Sequence, residues 1–325
     1  MPNHPKILVV GSFVMDLILS APRFPSSGES VIGTSFSTAP GGKGANQAVQ
    51  ASRLGAKVTM AGRVGNDDFG KALIKSANDS GVDTKYVTVS PSTPTAIGNI
   101  QLQVTESGTE NRIMVYPGAN MEITVEDMAF LEKEINAYNM VVLQNEIPTE
   151  VNTYISSIAK KANVPVLLNP APSSKLPSEL ISNLTFIAPN EHEAKDLTGI
   201  EPGSEQAIEN QLYAIRDMGA ENVIITLGKR GAAFLGDNGI AFSQSVDCGR
   251  VVDPTAAGDS FIGAFATAVA AGIPVSYALV FANYTAGITV TRMGAQTSLP
   301  DIDEVLNLMA QKGYDSTPFR ILKEG

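Results

Sequence analysis

The sequence predicts an α/β fold: a doubly wound, mostly parallel central sheet flanked by helices, with a small antiparallel β lid. Three observations carry this. Short apolar runs recur along the 325 residues. Helical segments separate most of them at steps of roughly 20–40 residues, the rhythm of βαβ units. Two segments, 17–38 and 95–116, break the rhythm with β-type composition, turns and no helix. The length suits one large α/β domain or two smaller ones. We read residues 1–325 as a single domain, with the lid formed by about 12–38 and 95–116.

Taken in order, ILVV (7–10), VTMA (58–61), MVVLQ (140–144), VPVLLN (164–169), TFIAPN (185–190) and VIITLG (223–228) read as buried strands. Helices are expected over 149–162, 191–197 and 205–218. Parallel sheets bind ligands at the carboxyl ends of their strands. Several of those ends are polar: Gln144-Asn145-Glu146, Asn169-Pro170, Asn190-Glu191 and Thr226-Leu227-Gly228. IGNIQLQVTESGTENRIMVY reads as a hairpin around Glu106-Ser107-Gly108-Thr109. A small sheet standing off the main domain suits a lid or a dimer contact; a plain β decoration is the alternative. The apolar stretch 261–282 is interrupted by Gly272 and Pro274, so it reads as two buried helices and not a membrane span. MPNHPKILVVG reads as a first strand and not a signal peptide. The C-terminal DSTPFRILKEG is polar and is expected to be loosely held.

Composition narrows the function classes. The formal net charge is −10, from 33 acids against 23 bases. That argues against a nucleic-acid surface and an anionic membrane as partners. The single cysteine, Cys248, allows no internal disulfide, which fits a reducing, cytoplasmic setting. The two histidines, His4 and His192, lie far apart in sequence and make a poor basis for a zinc site or a Ser-His-Asp triad. His4 reads as solvated, and His192 as a helix-face residue.

Two stretches carry chemistry. In PGGKGANQAVQASRLGA (40–56), glycines surround Lys43 just before a helix that begins near Ala45. Such a loop permits close backbone approach, and a helix N-terminus adds positive potential. Gly44 follows the lysine where a Walker loop needs Ser or Thr. A ligand loop and a tight turn with an exposed lysine both remain open here. In DPTAAGDSFIGAF (253–265), Ala256, Ala257 and Gly258 leave their N–H groups uncovered at a helix start. That is a cradle for a phosphate gaining charge during transfer. Asp259 then falls in the first turn, where it can accept a proton from an attacking hydroxyl. Simple helix capping is the alternative, but it leaves the bare Ala-Ala-Gly unexplained.

Together GSFVMD (11–16), PGGKGANQA (40–48), PNEHEA (189–194), TLGKRGA (226–232) and DPTAAGDSFIGAF resemble, in order, the ribokinase-like family of carbohydrate kinases. QNEIP (144–148), NPAP (169–172) and TRMGAQTSLP (291–300) point to the branch that acts on ribose. The resemblance implies ATP-dependent phosphorylation of the primary 5-hydroxyl of D-ribose, with Asp259 as catalytic base. It implies an anion hole from the N–H groups of Ala256, Ala257 and Gly258. Asp16, Gly42, Lys43, Asn46, Glu146 and Asp259 would hold the sugar. Asn190, Glu193, Thr226, Gly228, Gly231, Gly258 and Asn283 would hold ATP, with Asn190 and Glu193 working with Mg2+. Asp253, Thr255, Thr289, Arg292, Gly294 and Ser298 match positions that bind a monovalent cation, K+, partly through backbone carbonyls. A homodimer through the β lid is also implied. Read as residues, Glu146 could be a plain loop acid and Asn283 a packing asparagine.

Two positions depart from the pattern. Val14 stands where a polar sugar-binding residue is common, so preference could move to 2-deoxyribose or another furanose, because an unpaired buried hydroxyl is costly. Pro254 replaces a common threonine beside Asp253 and fixes one backbone angle there. A nucleoside kinase of the same family and a sugar-binding regulator without catalysis are the remaining readings. The intact Asp259 argues against the regulator. A Rossmann dehydrogenase is excluded, since Gly11 is followed by Ser-Phe-Val-Met-Asp and not by G-x-G-x-x-G.

Overall fold

The computed structural model describes residues 4–105 and 108–323. Its strands are β1 (Lys6–Val10), β2 (Val14–Ala21), β3 (Ser35–Gly41), β4 (Lys57–Gly65), β5 (Asp83–Ser90), β6 (Ile97–Thr105), β7 (Gly108–Tyr116), β8 (Met140–Gln144), β9 (Val166–Asn169), β10 (Phe186–Ile187), β11 (Asn222–Thr226), β12 (Ala232–Gly236) and β13 (Gly239–Ser243). Its helices are α1 (Lys43–Arg53), α2 (Asp68–Asp79), α3 (Leu131–Glu134), α4 (Thr149–Lys161), α5 (Ser178–Ser182), α6 (Glu191–Thr198), α7 (Glu205–Asp217), α8 (Ala257–Ala270), α9 (Val275–Thr289) and α10 (Ile302–Gln311).

Among the described residues the large sheet runs β13-β12-β11-β10-β9-β8-β1-β4-β5. Strands β5 to β11 in that order are mutually parallel; β12 and β13 add an antiparallel edge. Both faces are buried, so the parallel strands read as apolar runs without polar alternation. Successive side chains go to opposite faces. Ile7 and Val9 join a core with α1, α2, α8, α9 and α10. Leu8 and Val10 join a second core with α3, α4, α5 and α7. The chain winds one way from β1 to β4 and β5, then returns to place β8 on the other side. The switch point therefore lies between β1 and β8, the place where open α/β sheets form their ligand crevice.

The small sheet has the order β3-β2-β6-β7. The expected antiparallel pairing holds within β2/β3 and within β6/β7, while the joint between the pairs, β2 to β6, is parallel. The tip of the expected hairpin, Glu106-Ser107, lies outside the described residues. The stretch 261–282 forms the two expected helices, with a break at Gly272. No helix among the described residues is long and apolar enough to cross a membrane. Helix α8 is apolar all round because it is enclosed, with every residue from Asp259 to Ala268 buried.

Two expectations change. The 185–190 run contributes only the two residues of β10, extended by a single bridge from Asn190 to Thr226. The C-terminal segment is not loosely held as far as it is described. Phe319 and Leu322 are fully buried, and the Phe319 ring stacks on Phe281 at 4.6 Å. Two apolar anchors in a polar stretch suffice to dock it.

Candidate active site

The site begins at the carboxyl end of β1. Ser12 donates its hydroxyl to a Glu146 carboxylate oxygen beyond the end of β8, and that oxygen also accepts the N–H of Lys43 at 2.9 Å. Gly44 makes this possible: a Cβ there would meet Ser12 N at 2.5 Å. Gly42, with φ of 92°, turns the chain from β3 into α1. Helix α1 then presents Asn46 and Gln47 to the start of α8. Gly263 allows the approach, since a Cβ on it would come within 2.8 Å of the Gln50 side chain. The result is a bridge between helices: Asn46 Nδ2 donates to Asp259 Oδ2 at 2.9 Å, and Gln47 Nε2 to Asp259 Oδ1 at 3.0 Å.

Asp16, on β2, faces the same crevice. Its carboxylate sits between two glycines: a Cβ on Gly98 would stand 2.4 Å from Oδ1, and one on Gly41 2.6 Å from Oδ2. Burial, reinforced by Glu146 and Asp259, pushes its pKa up to about 6. Burial likewise raises Glu146 against the pull of Lys43 and Ser12. Burial opposes the charge on Lys43, but Asp259, Glu146 and Glu193 outweigh it and hold its ammonium above the ordinary range. The expected sugar-side residues Asp16, Gly42, Lys43, Asn46, Glu146 and Asp259 are thus brought together. Lysine is the positive charge among four carboxylates.

On the other side of the α8 N-terminus lies a cleft of about 510 Å³. Thr226, Gly228, Gly231, Gly258 and Asn283 line it together with Ala257, so these five expected nucleotide residues share one cavity, while Asn190 and Glu193 are not among its lining. Its apolar wall, Val246, Val251, Phe261, Ala286 and Val290, was not read from the sequence. These residues carry no polar signature and gather from three separate segments. Asn283 lines the cleft yet also donates its amide to Ser243 at 2.9 and 3.2 Å, so it packs and faces the cavity at once. Asn190 and Glu193 form a capping box on α6. Burial raises Glu193, which is within the field of Lys43 and Asp259.

Helix α8 opens without a capping side chain, on Ala256 in the left-handed region at φ 60°. The N–H of Ala257 makes a long bond, 3.3 Å, to Pro254 O, so it closes a turn and is not left uncovered as the sequence suggested, although Ala257 lines the cleft. The N–H of Gly258 is one of the first-turn donors that a helix cannot satisfy internally.

Asp253 ties two loops together, accepting the N–H of Thr255 and of Gly294 at 2.9 Å each. Those bonds outweigh partial burial and hold its pKa below the usual range. The remaining expected cation residues are dispersed in role. Thr289 donates its hydroxyl to Thr285 O and shares a hydrogen bond with the Ser260 hydroxyl, Arg292 pairs with Glu304, and Ser298 donates to Ala295 O at 2.7 Å. Among the described residues, no three His, Cys, Asp or Glu side chains converge as a metal set.

Comparison with known proteins places the chain in a family. The model of the family described as "pfkB family carbohydrate kinase" matches residues 4–302. The chain is 39% identical to a ribokinase of Bacillus subtilis over 94% of its own length and 99% of the relative's. It is 34% identical to a deoxyribokinase of Salmonella typhi, over 92% and 96%. Arabidopsis thaliana ribokinase, solved with ribose and ATP, superposes with a TM-score of 0.88 at 32% identity, covering 94% and 99%.

Proposed function

The chain belongs to the pfkB family of carbohydrate kinases, and from that premise we propose that it transfers the γ-phosphoryl group of ATP to the 5-hydroxyl of D-ribose. The observation that carries the reading is the position of Asp259. It lies in the first turn of α8, whose Ala257 and Gly258 line the cleft, and on its other side it is bonded to Asn46 and Gln47 of α1.

In this reading Asp16, Asn46 and Glu146 bind sugar hydroxyls, and Lys43 offsets the charge of the surrounding carboxylates. The buried Oδ1 of Asn46 lacks a protein partner and is an acceptor for one hydroxyl. Asp259 takes the proton of the 5-hydroxyl as its oxygen attacks the γ-phosphorus; the bond to the bridging oxygen breaks and ADP leaves. The N–H groups at the start of α8 receive the growing charge on the transferred group. The cleft wall of Val246, Val251 and Ala286 takes the adenine. Asn190 and Glu193 offer the oxygen donors that Mg2+ prefers, and the Asp253–Thr255 loop with Gly294 offers carboxylate and carbonyl oxygens for K+. Bound magnesium would neutralise phosphate charge. We place the enzyme in the cytoplasm, as one kinase unit whose small sheet closes over the sugar and pairs with that of a second copy.

A second reading, 2-deoxyribose, is favoured by one observation. Val14 is buried on the same face of β2 as Asp16, with its Cγ1 beside Gly98. An apolar wall there offers no partner to a hydroxyl.

The test is ADP release from ATP with magnesium and potassium, comparing D-ribose, 2-deoxy-D-ribose and no sugar. Ribose-dependent turnover lost in Asp259→Asn is expected. A preference for deoxyribose would transfer the substrate assignment to the second reading. Full activity of Asp259→Asn would remove Asp259 as the base.

A further inference from the structure

Asp259 is held by a chain of buried amides whose polarity is set from both ends. Gln47 Nε2 donates to Asp259 Oδ1 at 3.0 Å and to Asn169 Oδ1 at 3.2 Å. Gln47 Oε1 accepts Gln144 Nε2 at 2.7 Å. Asn169 Nδ2 in turn donates to the Ala188 carbonyl at 2.9 Å. A backbone carbonyl can only accept, as can a carboxylate. The Ala188 carbonyl therefore orients Asn169, Asn169 orients Gln47, and Gln47 can face Asp259 only with its NH2 group. Gln144 supplies the donor that the Gln47 carbonyl then needs. All four side chains are buried, Gln144 and Gln47 at 0% and 1% exposure. Space for the relay is reserved: a Cβ on Gly11 would lie 1.9 Å from Gln144 Oε1.

We propose that Gln47, Gln144 and Asn169 are positioning residues of the phosphoryl transfer, a relay that fixes the Asp259 carboxylate for proton removal. The inference rests on Asp259 being the base. The charged groups facing Asp259 are Lys43 on α1, Glu146 after β8, Asp16 on β2 and Glu193 on α6. The relay is the neutral part of that surrounding. Gln144 does not touch Asp259, so any effect of its loss on the base must pass through Gln47.

The experiment is a double-mutant cycle with Gln47→Met and Gln144→Met, Asp259→Asn as reference, with kinetics run well below each variant's melting temperature. Gln47→Met is expected to lower kcat roughly tenfold or more, the factor carried by a lost hydrogen bond to a charged group, with both KM values little changed. A relay that places the carboxylate acts on the chemical step and not on substrate binding, so Gln144→Met should also lower kcat with both KM values little changed, and should add nothing in the Gln47→Met background. Wild-type kcat in Gln47→Met, beside an inactive Asp259→Asn, would overturn the relay and leave the base standing. Equal effects of Gln144→Met in both backgrounds would also overturn it. An active Asp259→Asn would overturn both. If Gln144→Met does not fold, the kcat and KM values of Gln47→Met alone decide.

Discussion

Asp16 carries the clearest pH consequence of any single residue. Its pKa of about 6 results from burial beside two other carboxylates. The ionised form accepts hydroxyl hydrogen bonds most strongly, and bonds to a charged group carry about 1.5–3 kcal/mol. We therefore expect the KM for sugar to rise as the pH falls through about 6, and Asp16→Asn to raise KM while flattening that dependence; KM measured across about pH 5–8 checks both. For folding the sign is opposite. A raised carboxylate stabilises the ligand-free protein fully below its ordinary 3.8, and that contribution is lost as the pH rises through about 6. In the proposed site Asp16 thus trades stability for binding. The sequence identified Asp16, Asn46 and Asp259 as candidates. It marked Gln144 and Asn169 only as polar strand ends and did not identify Gln47, because a glutamine in a run of small residues looks the same whether it is solvated or buried in a relay.

Helix α8 sets the next scale. Its first turn faces the cleft proposed for the nucleotide, its Asp259 faces α1, and its body is buried between α1, α9 and the sheet. Gly258 tests the division of labour. Apart from its own turn of helix, no atom lies within 4 Å of where its Cβ would be, so alanine fits the ligand-free fold. Helical propensity favours that change by up to about 1 kcal/mol. Gly258→Ala should melt at the wild-type temperature or slightly above, yet raise the KM for ATP roughly tenfold, because the methyl enters space the phosphates need. Thermal melts beside ATP titrations check it; equal losses in both would instead make Gly258 a folding residue. At this scale the sequence was legible where periods are long. Helices α4, α6 and α7 fall within a residue of expectation, whereas β10 shrank to two residues because Pro189 removes a ladder donor.

The whole molecule leaves one surface unfinished. The small sheet exposes Phe36 (65%), Ile113 (58%) and Met114 (75%), and β3 and β7 are its outer strands. Phe36 and Met114 lie on one face and Ile113 on the other, and exposed apolar residues on a sheet with open edges mark an interaction surface. With a second copy as the occupant, Met114→Glu should lower the sedimenting mass to that of one chain and leave the circular dichroism spectrum unchanged. A wild-type protein sedimenting as 34.1 kDa at micromolar concentration would remove the dimer.

The sequence by itself determined the α/β rhythm, the glycine-rich turns around Lys43, the bare start of α8 and the acid that follows it. These are local signals: periodicity, backbone freedom and charge act over a few residues, so they can be read in order along the chain. Tertiary structure alone decided which amides meet. Gln47 and Asp259 are 212 residues apart, and Gln47 and Gln144 are 97 apart. They touch because β1 and β8 lie side by side at the switch point, and because Gly44 lets α1 approach the end of β1 and Gly263 lets it approach α8. Burial then gives a neutral glutamine a defined direction. Direction depends on partners brought from elsewhere in the chain, and no stretch of sequence around Gln47 contains them.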